Sequence, residues 1–390
     1  MALDADAPDA STEPLPLTLD HLVVTQLRNI ARGEVELGPR LNVIAGNNGQ
    51  GKTSILEAVY LLATSRSFRT ARLSEVVKLG SELGNVRGRF VEHWPNGPLP
   101  RQQSVGIRGT EGGAQRRICR IDDSPPTSLS HYATRSPVVV FDPQQMTLST
   151  GSASGRRTLL DRLTLFTDPA VASHRSWYRR ALRERQLLLR QHLGSLERRS
   201  ELDAFETLLA EHGAAITKAR RAASEILTAE MTRAFERIGA PKLVLEGSYR
   251  PGGSEDIDEA SEALQRGRPA DAQRKRTGFG PHRDDLHLLI DGQPARIVGS
   301  QGQHRAITLA LKIAELRCIA DARGVLPLLL LDDVSSELDA DRLAALVDHL
   351  AMTRSQILLT TTRRDLIVTS QISGSDRQDF TITAGVVTAG

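Results

Sequence analysis

Residues 46–53 read GNNGQGKT, and the rest of the chain takes its meaning from them. The spacing G-x-x-x-x-G-K-[ST] is that of a phosphate loop, and its neighbours supply the right context. Ahead of it, RLNVIAG (40–46) is a short apolar run of strand type. Behind it, KTSILEAVYLLATS (52–65) carries Ile55, Leu56, Val59, Leu62 and Ala63 at helical spacing. Glycines let the backbone bend until successive N–H groups share one concavity, and the following helix start adds partial positive charge. In such a loop Lys52 reaches the β- and γ-phosphates and the Thr53 hydroxyl holds Mg²⁺. The expected nucleotide-binding residues are Gly46, Asn47, Asn48, Gly49, Gln50, Gly51, Lys52, Thr53 and Ser54.

A second stretch completes that chemistry. LLLLDD (328–333) reads as a strand buried on both faces, with two carboxylates at its carboxyl end, where α/β sheets place their ligands. Asp332 is suited to Mg²⁺, directly or through water, beside Thr53. Asp333 could orient or deprotonate an attacking water, so Asp333 and Lys52 are the expected catalytic residues. Between the two stretches lies GSQGQHRAITLALKIAEL (299–316), a helix apolar around most of its circumference that opens on a polar knot. Ser300 and Gln303 fit a capping box, each side chain satisfying the other's backbone N–H.

Around these motifs the chain divides by texture. Residues 1–18 are acidic and Pro-containing, without a basic start or an apolar core, and are expected to form a disordered tail rather than a signal peptide. Residues 19–150 alternate strand-like runs (LDHLVVTQL, GEVEL, RLNVIAG, VVVFDP) with the helix after the phosphate loop, and form the first half of an α/β domain. From about 154 to 238 the only proline is Pro169, and Leu, Ala, Arg and Glu dominate, as in helices packed on helices. With an exposed, partly flexible connector at 250–276, this gives a helical lobe at 151–276. Residues 277–390 return to α/β character and supply the second half. The expected fold is an α/β phosphate-loop head with a helical second lobe inserted between its halves.

The composition allows this and excludes little. The chain has 390 residues with 39% apolar content, enough for more than one core. Lys and Arg exceed Asp and Glu by only 50 − 47 = 3, so partners must be read from local charge. Two distant cysteines fit a reducing compartment and argue against a disulfide framework or a zinc site. No apolar run approaches the roughly 20 residues of a membrane span, and a cytoplasmic location is expected.

Together GNNGQGKTS (46–54), GSQGQHR (299–305) and LLLLDDVSSELD (328–339) resemble the SMC/ABC-type ATPase heads. LATSRSFRT (62–70), FDPQQMTLSTGSASGRRTLLD (141–161) and TGFGPHRDDL (277–286) narrow the resemblance to the bacterial heads of recombination repair, over roughly residues 19–370. It implies an ABC head with a helical second lobe and no long coiled coil, with ATP and Mg²⁺ as cofactors. Two subunits sandwich ATP, the partner contributing its signature segment, here Ser300, Gln301, Gly302 and Gln303. Asp339 matches the D-loop aspartate, and either Gln144 or Gln145 the metal-lining glutamine. The resemblance also implies binding to double-stranded and gapped DNA, an ATP-dependent homodimer, work with RecO and RecR in loading RecA, and a weak DNA-stimulated ATPase. There are departures from the general ABC pattern. Asp333 stands where Glu is usual, one methylene shorter, which points to slow hydrolysis. Gln301 replaces the second-position glycine of the signature. TTTRRD (360–365) carries threonines where many ABC proteins have a switch histidine.

Between Arg175 and Arg199 eight arginines face two glutamates. Arg175, Arg179, Arg180, Arg183, Arg185 and Arg190 read as a basic helix face able to neutralise phosphates, with Arg175, Arg179, Arg180 and Arg183 the expected DNA contacts. Aromatic residues are only 4% of the chain, so duplex backbone fits better than stacked single strands. His282 and Arg283 beside Asp284 and Asp285 read as a loop salt bridge near the nucleotide pocket. A transporter's nucleotide-binding subunit is the rival reading. It would carry a compact head, a full Leu-Ser-Gly-Gly-Gln signature and a switch histidine, whereas this chain has a long basic insert.

Overall fold

The computed structural model of the chain describes residues 13–108, 116–190, 196–238, 243–333, 350, 352–367 and 372–390. In chain order the first elements are β1 (Leu17–Leu27), β2 (Ile30–Glu36), β3 (Leu41–Ala45), α1 (Lys52–Thr64), β4 (Leu83–Trp94), β5 (Gly97–Arg108), β6 (Arg116–Ile121), α2 (Leu129–Arg135) and β7 (Val138–Phe141). Then come α3 (Thr147–Thr150), α4 (Ala153–Thr167), α5 (Val171–Leu189), α6 (Leu196–Ile238), β8 (Leu245–Arg250) and α7 (Ile257–Arg274). β9 (Asp285–Ile290), β10 (Gln293–Pro294), α8 (Ala295–Val298) and α9 (Gln301–Arg323) follow, and β11 (Leu328–Leu331), β12 (Ile357–Thr361), β13 (Arg377–Thr383) and β14 (Val386–Ala389) close the chain. Residues 1–145 with 319–390 form one compact unit and residues 146–318 another.

The first unit holds two sheets. One is six-stranded in the order β14-β13-β3-β12-β11-β7, with every pair parallel except the β13–β14 hairpin. Its strands LLLL (β11), ILLTT (β12) and, at the edge, VVVF (β7) are buried at every residue, as strands covered on both faces must be. The other is antiparallel, in the order β2-β1-β4-β5-β6. Its alternation is visible in β4, where Val86, Gly88 and Phe90 are buried and Arg87 and Arg89 exposed. Helix α1 packs against strands of both sheets, which is why its sequence is apolar nearly all round. Order begins before the expected end of the N-terminal tail. Leu15 bridges Val325 in parallel, and Leu17 and Thr18 are already part of β1, because Leu17 is a core residue.

In the second unit α5, α6 and α7 share a core that includes Tyr178, Ala181, Leu209, Ile216, Ala260 and Leu264, and β10-β9-β8 forms a small antiparallel sheet. Two expectations change here. The presumed connector at 250–276 contains α7, capped by Asp256, whose carboxylate accepts from the Glu259 amide at 2.8 Å. Its buried residues are Ala260, Leu264 and Asp271, and Pro269 is carried inside the helix. Glycine, proline and charge at the two ends hid that stripe. The division between units also falls elsewhere. It comes at 145/146 rather than 150, and residues 277–318, expected with the second half of the head, cluster with the helices. The physical reason is that β9 pairs with β8 and packs on α4.

A candidate nucleotide site

Strand β3 ends at Ala45, between its parallel neighbours β12 and β13, and the phosphate loop follows at once. Gly49 (φ 79°) and Gly51 (φ 115°) both occupy the left-handed region, where a side chain would be strained. Gly51 is the N-cap of α1, and no side chain caps that helix. The helix start, Gly49 and Asn48 line a cleft of about 490 Å³ together with Arg28, Asn29, Arg69 and Asp333.

Lys52 is buried and its Nζ donates to the Gly46 carbonyl (2.7 Å) and the Asn47 carbonyl (3.1 Å). Burial pushes its ammonium below the ordinary lysine range, and Asp333 and Asp332 pull it partly back. Asp332, at the end of β11, is the counterpart. Its Oδ1 accepts from Thr53 Oγ1 (2.9 Å) and from Thr360 Oγ1 (2.7 Å). Burial raises the Asp332 carboxyl, while the hydrogen bonds from Thr360 and Thr53 draw it down. Asp333 turns away from the strand with φ 46°, and its amide donates to Thr360 Oγ1 at 3.0 Å. Thus Lys52 and Thr53 after β3 and Asp332 and Asp333 after β11, with 279 positions between Thr53 and Asp332, converge at the carboxyl ends of two strands that flank β12.

Sequence reasoning missed the residues that brace this site. Glu57 on α1 is fully buried and accepts from Arg28 Nε (2.8 Å) and Nη2 (2.7 Å), from Ser67 Oγ (2.5 Å) and from Arg69 Nη1 (3.4 Å). That carboxylate fixes two arginines at the cleft. Asn29 accepts from Ser54 Oγ (3.0 Å) and reaches the Gly49 carbonyl (3.5 Å). Thr360 joins the two aspartates. One signal was available: a glutamate inside an otherwise apolar helix demands a cation.

Asp339 and the Gln144 side chain lie outside the described residues. Gln145 is described, and its Oε1 is buried without a hydrogen-bond partner among the described residues.

In the second unit the polar knot before α9 is a capping box. The Ser300 amide donates to Gln303 Oε1 (2.7 Å) and the Gln303 amide to Ser300 Oγ (3.3 Å). Ser300 and Gln301 are exposed, as are Ile297 and Val298 just ahead of them. The arginine face is narrower than its sequence suggests. Arg179, Arg180, Arg183 and Arg190 are exposed. Arg175 is instead paired with Asp161 at 2.7 Å. Arg185 is fully buried, bonded to Glu206, Asp271, Thr277 and the Leu264 carbonyl, because its position on α5 faces α6 and α7. Asp284 does form a salt bridge, but its partner is Arg220 of α6 (2.8 Å), not the adjacent Arg283, and both belong to the helical unit. Tyr249 and the Gly252 amide complete its shell, and His282 bonds Tyr178 at 2.7 Å. Among the described residues no group of three or more His, Cys, Asp or Glu is placed to hold a metal, and no helix is long and apolar enough to cross a membrane.

Residues 18–374 match the family described as RecF/RecN/SMC N terminal domain. Over 380 residues the chain is 39% identical to the DNA replication and repair protein RecF of Anaeromyxobacter sp. (strain Fw109-5), covering 95% of this chain and 99% of that one. The chain belongs to the RecF family. A RecF from Geobacter sulfurreducens is 33% identical over 95% of this chain and 99% of its own. Among solved structures, the recombination mediator protein RecF-ATP of the RecFOR pathway superimposes with a TM-score of 0.84. It is 27% identical, and the match covers 98% of this chain and 100% of that one. An Smc head bound to the C-terminal winged-helix domain of ScpA shares the fold at a TM-score of 0.53 and 13% identity. The RecF fold is thus an ABC-type α/β head carrying a helical unit.

Proposed function

We propose that the chain is an ATP-operated DNA-binding switch of recombination repair and replication restart. It binds duplex DNA beside single-strand gaps, dimerises on ATP, and acts with RecO and RecR in loading RecA. The observation that carries this reading is the convergence of Lys52, Thr53, Asp332 and Asp333 on one cleft, in a chain whose relatives include a RecF-ATP structure.

The glycine-bent backbone of residues 46–51 and the uncapped start of α1 receive the phosphates, and Lys52 leaves its two carbonyls for the β- and γ-phosphates. The Mg²⁺ that accompanies ATP fits Thr53 and Asp332. Both offer hard oxygens already 2.9 Å apart, and the buried Asp332 carboxylate gains from a cation. Bound there, the ion neutralises charge on the β- and γ-phosphates. Asp333 positions the attacking water, held in aim by the bond between its amide and Thr360, and its short side chain makes hydrolysis slow. Ser300, Gln301, Gly302 and Gln303 exchange their mutual cap for the γ-phosphate of a partner copy, with Ile297 and Val298 as an apolar contact beside them. Arg179, Arg180 and Arg183 neutralise DNA phosphates, whereas Arg175 is occupied by Asp161.

The test measures oligomeric state by light scattering and binding to gapped duplex, with ATP, with ADP and in Asp333→Asn. ATP drives dimers and tighter duplex binding, ADP does neither, and Asp333→Asn prolongs the ATP-bound state. If ATP leaves both oligomeric state and DNA affinity unchanged, the switch reading is wrong.

A further inference from the structure

The phosphate loop leans on the last hairpin of the chain. β13 pairs in parallel with β3, Phe380 opposite Ile44 and Thr381 opposite Ala45, so the β13–β14 turn arrives beside the loop. Two successive amides of that turn point at one loop residue. The Ala384 N–H donates to Gln50 Oε1 (2.6 Å) and the Gly385 N–H to the Gln50 carbonyl (2.9 Å). Both turn residues have positive φ, 51° and 82°, which is the backbone of a tight hairpin turn.

The seating leaves no slack. A Cβ on Gly385 would stand 2.6 Å from the Asn29 carbonyl oxygen, and one on Gly46 would stand 2.6 Å from the Ile382 carbonyl oxygen. The loop is therefore bracketed between the β1–β2 turn, through Asn29, and the β13–β14 turn, through Gln50. Gln50 spends both its backbone and its side-chain acceptor on the hairpin, although in sequence it is a bland position of the loop pattern.

We propose that the C-terminal hairpin is a positioning element for nucleotide binding. Its turn, Ala384–Gly385, holds Gln50 and so fixes the loop curvature that lets the backbone amides converge on phosphate. The inference rests on the ATP reading above. It places a determinant of affinity more than 330 residues downstream of the loop, in a turn outside the phosphate-loop pattern.

The experiment titrates full-length protein with ATP by calorimetry and follows steady-state hydrolysis. The variants are Gln50→Ala, Gly385→Val, Thr388→Ala and Lys52→Met. Gln50→Ala and Gly385→Val weaken ATP binding about tenfold and raise KM with little change in kcat, because the loop must be ordered when the phosphates arrive. Thr388→Ala, on the same hairpin but exposed and away from the turn, binds as wild type does. Affinities of Gln50→Ala and Gly385→Val within twofold of wild type would overturn the proposal. Should Gly385→Val not fold, as its melting curve will show, Gln50→Ala alone decides, since it removes the Ala384 bond from the loop side and leaves the turn itself intact. Lys52→Met separates the two levels. If it binds ATP normally, the ATP reading fails; if it loses ATP while Gln50→Ala and Gly385→Val do not, only the hairpin inference fails.

Discussion

Two regions of this chain bury charge, and they do it in opposite ways. In the helical unit Arg220 is pushed down by burial, yet Asp161 and Asp284 outweigh that and hold it above the ordinary arginine range. Arg185 is as deeply buried, and its five N–H donors meet Glu206, Asp271, Thr277 and Leu264. At the phosphate loop of the ATPase head the balance tips the other way. Burial lowers Lys52 and raises Asp332, so both are displaced toward their neutral forms, and the partners at hand do not fully compensate. The first arrangement is closed, with every charge answered from within the chain. The second is left short of compensation, as a site that receives charged ligands must be.

The comparison breaks most visibly if the closed network is opened. Arg185→Ala removes the buried cation bonded to Asp271 and one of the two arginines on Glu206, and should cost about 3 kcal/mol in urea unfolding. A loss below 1 kcal/mol would mean that the network is not the framework described here. Next comes Glu57→Gln, which weakens the grip on Arg28 and Arg69. ATP affinity should fall roughly tenfold, with a smaller loss of stability, about 1–2 kcal/mol. Unchanged affinity would remove the arginines from the site.

The pH dependence of Asp332 sharpens the contrast. Its folded carboxyl titrates above the unfolded one, so between those values the folded state binds more protons and stability falls as pH rises. Asp332→Asn keeps the acceptor for Thr53 and Thr360 but not the charge. Its ligand-free melting temperature should exceed wild type by a few degrees at neutral pH, and the gap should close as pH drops toward the ordinary carboxylate range. A gap that widens in acid contradicts the assignment. The smallest effect concerns DNA. Arg180→Ala with Arg183→Ala should lower the slope of log affinity against log salt by about 2, with stability untouched. Arg175→Ala should leave that slope alone, because Arg175 serves Asp161.

Much of this was legible in the residues. A phosphate loop between an apolar run and a helix, and two carboxylates closing four leucines, fix a parallel α/β head, because only strands covered on both faces read LLLL and VVVF. The capping box at Ser300 could be written from spacing alone. What could not be read depends on side chains that meet across long stretches of chain. Arg185 looks like its exposed neighbours on α5 until α6 and α7 close over it. α7 was hidden because Pro269 and the charges around it mimic a linker, while Asp271 has meaning only opposite Arg185. Thr360 acquired its role, and Gln50 its bonds to the last hairpin, only when β12 and that hairpin were placed beside β3.

The most direct test uses Lys52→Met, measuring ATP affinity and ligand-free urea stability on the same protein. ATP binding should be lost while stability is unchanged or higher, because the buried ammonium is held for phosphate and not for the fold. ATP binding within fivefold of wild type, or a loss of stability as large as that of Arg185→Ala, would contradict it.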